Sequence, residues 1–230
     1  MSVSSQSRIK LSFFLFILTA IGYVYSGMFG NKELELTFIA LFIPSLALFY
    51  LLKSKKKNLA FVLILIFSWL GSILISYESI LQSIAGIISF WGVLLLIADH
   101  SIKQLKKPLK IQLKKNQVIY SLIVHIAYLI GILYLLSDDL GIFIFPITFY
   151  GICLLGTSFL GTVLWIEKKN KTRLMLMFGI FMILGSGSIL SFKLFGTELS
   201  LIQDFLRLSL YVVSELFICL YFIHFKETIK

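Results

Sequence analysis

The segment SLYVVSELFICLYFI, residues 209–223, places a carboxyl group, that of Glu215, inside a run of apolar residues. Tyr211 and Cys219 lie four residues to either side, so a helix would carry all three side chains on one face. Removal from water favours the neutral form of a carboxyl group, and a neutral carboxylic acid can deliver a proton to a substrate. The pattern predicts a general acid at Glu215. The alternative interpretation is a protonated glutamate that hydrogen-bonds a neighbouring helix and serves packing only.

Few other side chains in the apolar segments suit catalysis or metal binding. His125 has no histidine or acidic residue three or four positions after it, so we expect an interhelical hydrogen bond there rather than a metal site. Asp99 and His100 end an apolar run, where both are expected to reach water. Cys153 and Cys219 lie inside apolar runs and do not indicate a disulfide framework. No nucleotide-binding fingerprint is present, and neither a metal nor a cofactor is expected.

The composition is that of a membrane protein. Of the 230 residues, 59% are apolar and only 14% are charged, whereas soluble domains are about half apolar and about a quarter charged. We therefore predict an integral membrane protein whose partners are membrane lipids. The formal net charge of +10 does not indicate nucleic-acid binding, because the basic residues lie in short loops between apolar runs. The first apolar run follows Arg8 and Lys10 without a small-residue cleavage site, so it is expected to remain as a span.

Eight apolar runs approach or exceed the roughly 20 residues that a membrane-spanning helix needs. The predicted fold is all-α, a polytopic bundle of eight transmembrane helices that forms a single integral membrane domain over residues 1–230. The predicted spans are 11–29, 34–52, 59–76, 80–98, 118–136, 141–166, 174–194 and 206–225. The sixth carries Pro146 in its first part, which indicates a kink, a tilt or a preceding interfacial turn.

Charged residues flank these spans unevenly. Lys and Arg near span ends stay on the cytoplasmic side, and with the N-terminus inside, all but three of the 21 basic residues fall there. The three exceptions are Lys32, Lys193 and Arg207. Most of the 11 acidic residues fall outside, namely Glu33, Glu35, Glu78, Asp138, Asp139, Glu198 and Asp204. Both termini are therefore predicted to be cytoplasmic, in a bacterial inner membrane. The basic loop 99–117 is interpreted as a retention signal or as a contact with anionic headgroups.

Small and hydroxyl-bearing residues cluster in three of the predicted spans. They form SWLGS at 68–72 in the third span and GSGS at 185–188 in the seventh. In the sixth span a stripe of one helix face consists of Tyr150, Cys153, Thr157 and Gly161. Small residues let membrane helices approach closely, and hydroxyl groups bond across helices or to their own preceding turn. These runs predict packing, and no Ser-His-acid set accompanies them.

Four segments form a further pattern through their order along the chain. They are FIPSLALFYLL in the second span, FSWLGSILIS in the third, LGSGSILSF in the seventh and YVVSE in the eighth. Together they resemble the Lys-Pro helix, the Gly-Asp helix, the Ser-Asp helix and the closing Tyr-x-x-x-Gln pattern of the YhhN family. That family consists of eight-span membrane proteins and includes the animal lysoplasmalogenases. The similarity in topology and length extends over nearly the whole chain.

The chain departs from the family pattern at four positions. Ile43 stands where the family has a lysine, Ser72 and Gly187 where it has aspartates, and Glu215 where it usually has a glutamine. The resemblance implies hydrolysis of the vinyl ether of a lysoplasmalogen, which yields a fatty aldehyde and a glycerophospho-headgroup. Paired carboxyl groups would supply the acid and base of that reaction. Glu215 is then either a relocated acid or unrelated to the reaction.

Three functional hypotheses follow. The first is a YhhN-like protein that hydrolyses or binds a single-chain ether lipid in a cavity between the third, seventh and eighth spans. Glu215 is its predicted acid or proton carrier, and Ser72, Ser188 and Tyr211 are predicted to orient substrate or water. The second is a non-catalytic lipid-binding or structural protein that kept the fold and lost the aspartates. The third is a proton-coupled carrier that uses Glu215 as its relay.

Overall fold

The structure, a computed structural model, describes residues 4–77, 79–105, 115–136, 141–194 and 199–225. In these ranges the chain forms eight α-helices, no strand occurs, and every helix is long and apolar enough to cross a membrane. The all-α prediction and the number of spans are therefore confirmed. The helices are α1 (Ser5–Met28), α2 (Lys32–Lys53), α3 (Leu59–Ser76), α4 (Ile80–Leu105), α5 (Lys115–Leu136), α6 (Ile144–Glu167), α7 (Lys171–Leu194) and α8 (Leu201–His224).

The helix ends lie beyond several of the predicted spans because polar residues extend the helices past their apolar centres. Helices α1, α2, α3 and α8 begin at a side-chain cap that accepts a hydrogen bond from the backbone N–H three residues on, at Ser4, Asn31, Asn58 and Ser200. Ser200 and Gln203 form a complete capping box. A 3-10 turn, Gly141–Phe143, precedes α6, as one interpretation of the sixth span proposed.

Seven of the described helices pack as a ring in the order α1, α2, α3, α4, α6, α7, α8 and back to α1. The fifth helix packs on the outside of this ring, against α6. Only 6% of its membrane-spanning stretch is buried in the protein, against 33% to 44% in the other seven helices. An apolar helix with so little protein contact is suited to lipid surroundings on most of its circumference. The ring, rather than α5, therefore forms the core.

Two features determine how α3 contacts its neighbouring helices. Gly71 of α3 and Gly86 of α4 face each other so closely that a β-carbon on Gly86 would lie 3.0 Å from the carbonyl oxygen of Gly71. In α2, Pro44 lacks the N–H that would bond the carbonyl oxygen of Ala40. The indole Nε1 of Trp69 in α3 donates to that oxygen at 3.2 Å. The proline thus creates the acceptor that ties α2 to α3.

Successive helices cross in alternate directions, so the bundle has two faces. We call the face with Ser5 and His224 the terminal face, and the opposite face, where α2, α4, α6 and α8 begin, the distal face. Several residues of the charge prediction lie outside the described residues. They are Glu78, Asp138, Asp139, Glu198, Lys226, Lys230 and the middle of the basic loop, residues 106–114.

Candidate functional site

The centre of the ring carries a polar stripe on α8. Arg207, Tyr211, Glu215 and Cys219 follow one another at intervals of four residues, and all four are buried. Side chains four residues apart lie above one another on a helix face. Glu215, with 1% of its surface exposed, occupies the middle of α8. The helix therefore holds the carboxyl group deep in the protein and away from lipid.

A second polar stripe, on α3, faces the first. It consists of Ser68, Ser72 and Ser76, again four residues apart. The hydroxyl oxygens of Ser72 and Tyr211 lie 2.6 Å apart, a buried hydrogen bond between α3 and α8. Ser68 and Tyr211 lie beside the carboxyl group of Glu215. The two stripes thus form a polar seam in an otherwise apolar interior.

Two atoms of this seam have unused hydrogen-bonding capacity. Oε2 of Glu215 and Oγ of Ser68 are fully buried and have no hydrogen-bond partner among the described residues. A buried polar atom without a partner costs about 1–3 kcal/mol. Such atoms are tolerated at functional sites, where a substrate group or a water molecule can use them.

Glu215 and Tyr211 form part of the wall of a cavity of about 50 Å³. Helices α6 and α7 contribute the other polar lining residues, Tyr150, Ser186 and Ser191, and also Gly187. A β-carbon at Gly187 would lie 3.0 Å from the hydroxyl oxygen of Tyr150, so glycine lets that hydroxyl approach α7. The remaining lining is apolar and comes mainly from α3, α4 and α7. This volume holds a few water molecules.

The four predicted site residues divide between two places. Glu215 and Tyr211 line the cavity, and Ser72 joins it through its bond to Tyr211. Ser188 instead lines a neighbouring cavity of about 30 Å³ and bonds Tyr128 of α5. Successive helical residues point about 100° apart, so Ser188 faces away from the direction of Ser186. The hydroxyl of Ser186 donates to the carbonyl oxygen of Arg207 at 2.9 Å.

Sequence reasoning missed several residues around the carboxyl group. The sequence pattern predicts packing for Ser68, Ser186 and Tyr150 and assigns no role to Ser191. The spacing of four residues from Ser68 to Ser72 to Ser76 is a usable signal, because it matches the spacing on α8. No comparable signal singles out Ser186, which lies in a run of small residues, or Ser191, which stands between Leu190 and Phe192.

The histidines have different surroundings. His125 is buried; its Nδ1 donates to the carbonyl oxygen of Ser121 at 2.7 Å, and its Nε2 lies 3.0 Å from the hydroxyl oxygen of Ser158 on α6. This is the interhelical bond that the sequence predicts. The expectation that His100 reaches water is wrong, because only 7% of its surface is exposed and its Nε2 bonds the hydroxyl of Tyr221 at 2.9 Å.

Neither a metal centre nor a disulfide appears in the part of the chain that the structure describes. No three His, Cys, Asp or Glu side chains of these residues come together as a ligand set. Cys153 and Cys219 are both free thiols. The chemistry available at the site is therefore that of a carboxyl group and its surrounding hydroxyl groups.

Comparison with protein families, with characterised proteins and with solved structures finds no match for this chain. The resemblance to the YhhN family accordingly rests on the four sequence segments alone. Any functional assignment depends on the geometry of the carboxyl group and its cavity.

Proposed function

We propose that this protein is a membrane-embedded hydrolase of the lysoplasmalogenase type, which cleaves the vinyl ether of a single-chain lipid with Glu215 as the proton donor. One observation carries the proposal: the carboxyl group of Glu215 is 1% exposed, lies at a cavity inside the ring, and has one oxygen without a partner among the described residues. A neutral carboxyl group in an enclosed, low-dielectric cavity is suited to giving up a proton only to a bound substrate.

A single carboxyl group is sufficient for this reaction. Glu215 first transfers its proton to the vinyl carbon that is not bonded to oxygen, which forms a C–H bond and leaves an oxocarbenium ion beside a carboxylate. A water molecule then adds to the cation while the carboxylate takes one of its protons, which restores the acid. The resulting hemiacetal splits into an aldehyde and an alcohol. The reaction consumes one water molecule, and Glu215 acts as acid and then as base.

The hydroxyl groups of the seam position this carboxyl group. Tyr211 is held by its bond to Ser72 and faces Glu215. Ser68 faces the same carboxyl group and has a free hydrogen-bonding position among the described residues, suited to the attacking water molecule. The two aspartates of the YhhN pattern, replaced here by Ser72 and Gly187, are not needed in this scheme. Ser188 takes no part in it.

Substrate reaches Glu215 from the distal face. A larger cavity of about 330 Å³ opens there, and Ile75 and Leu190 line both this cavity and the one at Glu215. In this proposal, rotation of these two apolar side chains would join the cavities into one path from the distal face to Glu215.

The same proposal includes location and orientation. We place the protein in a bacterial cytoplasmic membrane with the terminal face inside the cell. The support is the distribution of charge, since Lys and Arg collect on the cytoplasmic side of membrane proteins.

The test is release of aldehyde from a lysoplasmalogen by the purified protein in maltoside detergent. We expect the wild type to be active and Glu215→Gln to lose activity by about 10²- to 10⁴-fold, the usual contribution of a general acid. Asp99→Asn is the matched control, because it makes the same carboxyl-to-amide change at an exposed ion pair with Lys103 on the terminal face. Equal activity in wild type and Glu215→Gln would remove Glu215 from the mechanism.

A second candidate function is a non-catalytic lipid-binding or structural protein. The observation that favours it is the size of the cavity at Glu215, about 50 Å³, against about 300–1,000 Å³ for pockets that enclose small-molecule ligands. In this case the role of Glu215 is to stabilise the packing of α3 against α8. A folded wild-type protein that releases no aldehyde would decide for this alternative.

A further inference from the structure

Lys32, Lys193 and Arg207 are the three basic residues outside the predicted cytoplasmic segments, and they lie close together in the structure. Lys32 begins α2, Lys193 lies in the last turn of α7 and Arg207 lies in α8. All three line the cavity of about 330 Å³ at the distal face. Basic residues are disfavoured on the side of a membrane opposite the basic loops. Their convergence from three separate helices therefore indicates a function of the cavity.

The electrostatics of this cavity favour an anion. Among the described residues that line it, Glu35 is the acidic residue beside the three cations. The carboxylate of Asp204 forms ion pairs with two of these cations, Lys193 at 3.2 Å and Arg207 at 3.0 Å. Among the described residues at the cavity, three cationic side chains accompany two carboxylates. Arg207 is 8% exposed, so part of this charge lies in surroundings that screen it weakly.

Helix dipoles add to the positive potential. Lys32 and Ile80 both line the cavity, and they are the first residues of α2 and α4. A helix N-terminus carries roughly half a positive charge and leaves backbone N–H groups without a helical partner; Asn31 in α2 and Ser79 in α4 each bond one of these groups. Two such ends and three cationic side chains together form a suitable environment for a phosphate group.

We propose that the distal cavity binds the phosphate of a single-chain glycerophospholipid and so selects phosphate-bearing substrates over neutral glycerol ethers. The inference rests on the proposed function for the identity of the lipid. Arg207 at this cavity and Glu215 at the inner one are eight residues apart on α8, about 12 Å along the helix. Both residues lie on the same face of α8, so a lipid that enters through the distal cavity passes the three cations before it reaches Glu215. The apolar walls beyond Ile75 and Leu190 then receive the start of the hydrocarbon chain.

The test is binding of radiolabelled lysophosphatidic acid to the full-length protein in maltoside detergent by scintillation proximity. The labelled lipid carries a saturated ester and no vinyl ether, so the measurement is independent of turnover. We expect unlabelled lysophosphatidic acid to displace it far better than monoacylglycerol, which lacks the phosphate. Lys193→Gln and Lys32→Gln are each expected to weaken binding by about fivefold, and added salt should reduce the difference between wild type and variants.

The control variant is Lys168→Gln, which removes an exposed lysine from the terminal face and should leave binding unchanged. Equal displacement by monoacylglycerol, or an equal effect of Lys168→Gln, would overturn the phosphate site. Displacement by glycerol 3-phosphate as strong as that by the lipid would overturn the assignment to a lipid and indicate a soluble phosphate ester. Substitution of Arg207 would leave the half-buried carboxylate of Asp204 with one partner fewer, so Lys193 and Lys32 are the informative positions.

Failure of this inference is distinguishable from failure of the hydrolase. Phosphate-dependent binding without aldehyde release from a lysoplasmalogen would support the phosphate site and contradict the hydrolase. Equal aldehyde release from vinyl ethers with and without a phosphate would support the hydrolase and contradict the phosphate site.

Discussion

At the scale of single residues, the hydrogen bond from Trp69 to the carbonyl oxygen of Ala40 shows how one backbone irregularity is compensated. The carbonyl oxygen of Ala40 loses its helical donor because residue 44 is a proline, and Nε1 of Trp69 replaces that donor. In lipid or in a protein interior an unsatisfied carbonyl is costly, because no water is available to it. The tryptophan is therefore expected to stabilise the fold mainly through this one bond.

We predict that Trp69→Phe lowers the free energy of unfolding by about 1 kcal/mol. In a Pro44→Ala background the N–H at position 44 can bond the carbonyl of Ala40. Trp69→Phe should then lower the free energy of unfolding by less than it does in the wild type. The difference between the two costs is the coupling energy, expected to be at least about 0.5 kcal/mol. Equilibrium unfolding in mixed detergent and SDS micelles measures all four proteins. An identical cost of Trp69→Phe in both backgrounds would contradict the compensation.

At the scale of helices, the described glycine that comes closest to the backbone of a neighbouring helix lies between α3 and α4. A β-carbon on Gly86 would lie 3.0 Å from the carbonyl oxygen of Gly71 and 3.1 Å from the backbone nitrogen of Ile75. These are backbone atoms of another helix, which cannot move aside as a flexible side chain can. Small residues at membrane helix interfaces permit this close approach and the dispersion contacts that accompany it.

We predict that Gly86→Ala separates α3 from α4 and lowers the free energy of unfolding by about 1–3 kcal/mol. The matched control is Gly131→Ala in α5, another glycine inside a membrane helix, where a β-carbon would meet nothing within 4 Å. Alanine is the better helix former, so the control should retain or gain stability. Thermal unfolding in detergent compares the two variants. A similar loss of stability in both variants would show that the close approach of α3 and α4 does not contribute to the stability of the fold.

At the scale of the whole molecule, the two faces of the bundle differ in charge. The terminal face carries the basic loops, whereas the distal face carries acidic residues and the cavity with Lys32, Lys193 and Arg207. Positive loops are retained on the cytoplasmic side during insertion. Under the orientation that we propose, the distal face is the outer face, and the proposed substrate would enter from the outer leaflet.

We predict the orientation of the bundle from this asymmetry. In a background without Cys153 and Cys219, a cysteine at Tyr77→Cys on the distal face should react with a membrane-impermeant maleimide in intact spheroplasts. A cysteine at Lys55→Cys on the terminal face should react only after the cells are lysed. Both positions are exposed, so accessibility within the protein does not distinguish them. The reverse pattern would place the basic loops outside and the phosphate site in the cytoplasm.

Much of this structure follows from the sequence by itself. Eight apolar runs of membrane length determine eight helices, since a chain in lipid must satisfy its backbone hydrogen bonds within each span. The spacing of Arg207, Tyr211, Glu215 and Cys219 determines one polar face of α8. The isolation of His125 from other ligands predicts an interhelical hydrogen bond, and the structure identifies its partner as Ser158.

Only the tertiary structure decided which helix faces meet. It placed α5 outside the ring and put Ser188 on the other side of α7 from Ser186. It also brought Ser68 beside Glu215 and Ser72 against Tyr211. It also brought Lys32, Lys193 and Arg207 to one cavity, although they are far apart in the chain. The physical reason is that lipid tails and protein interiors are about equally apolar. The faces of a membrane helix that contact lipid and those that contact protein therefore differ little in composition, and packing alone distinguishes them.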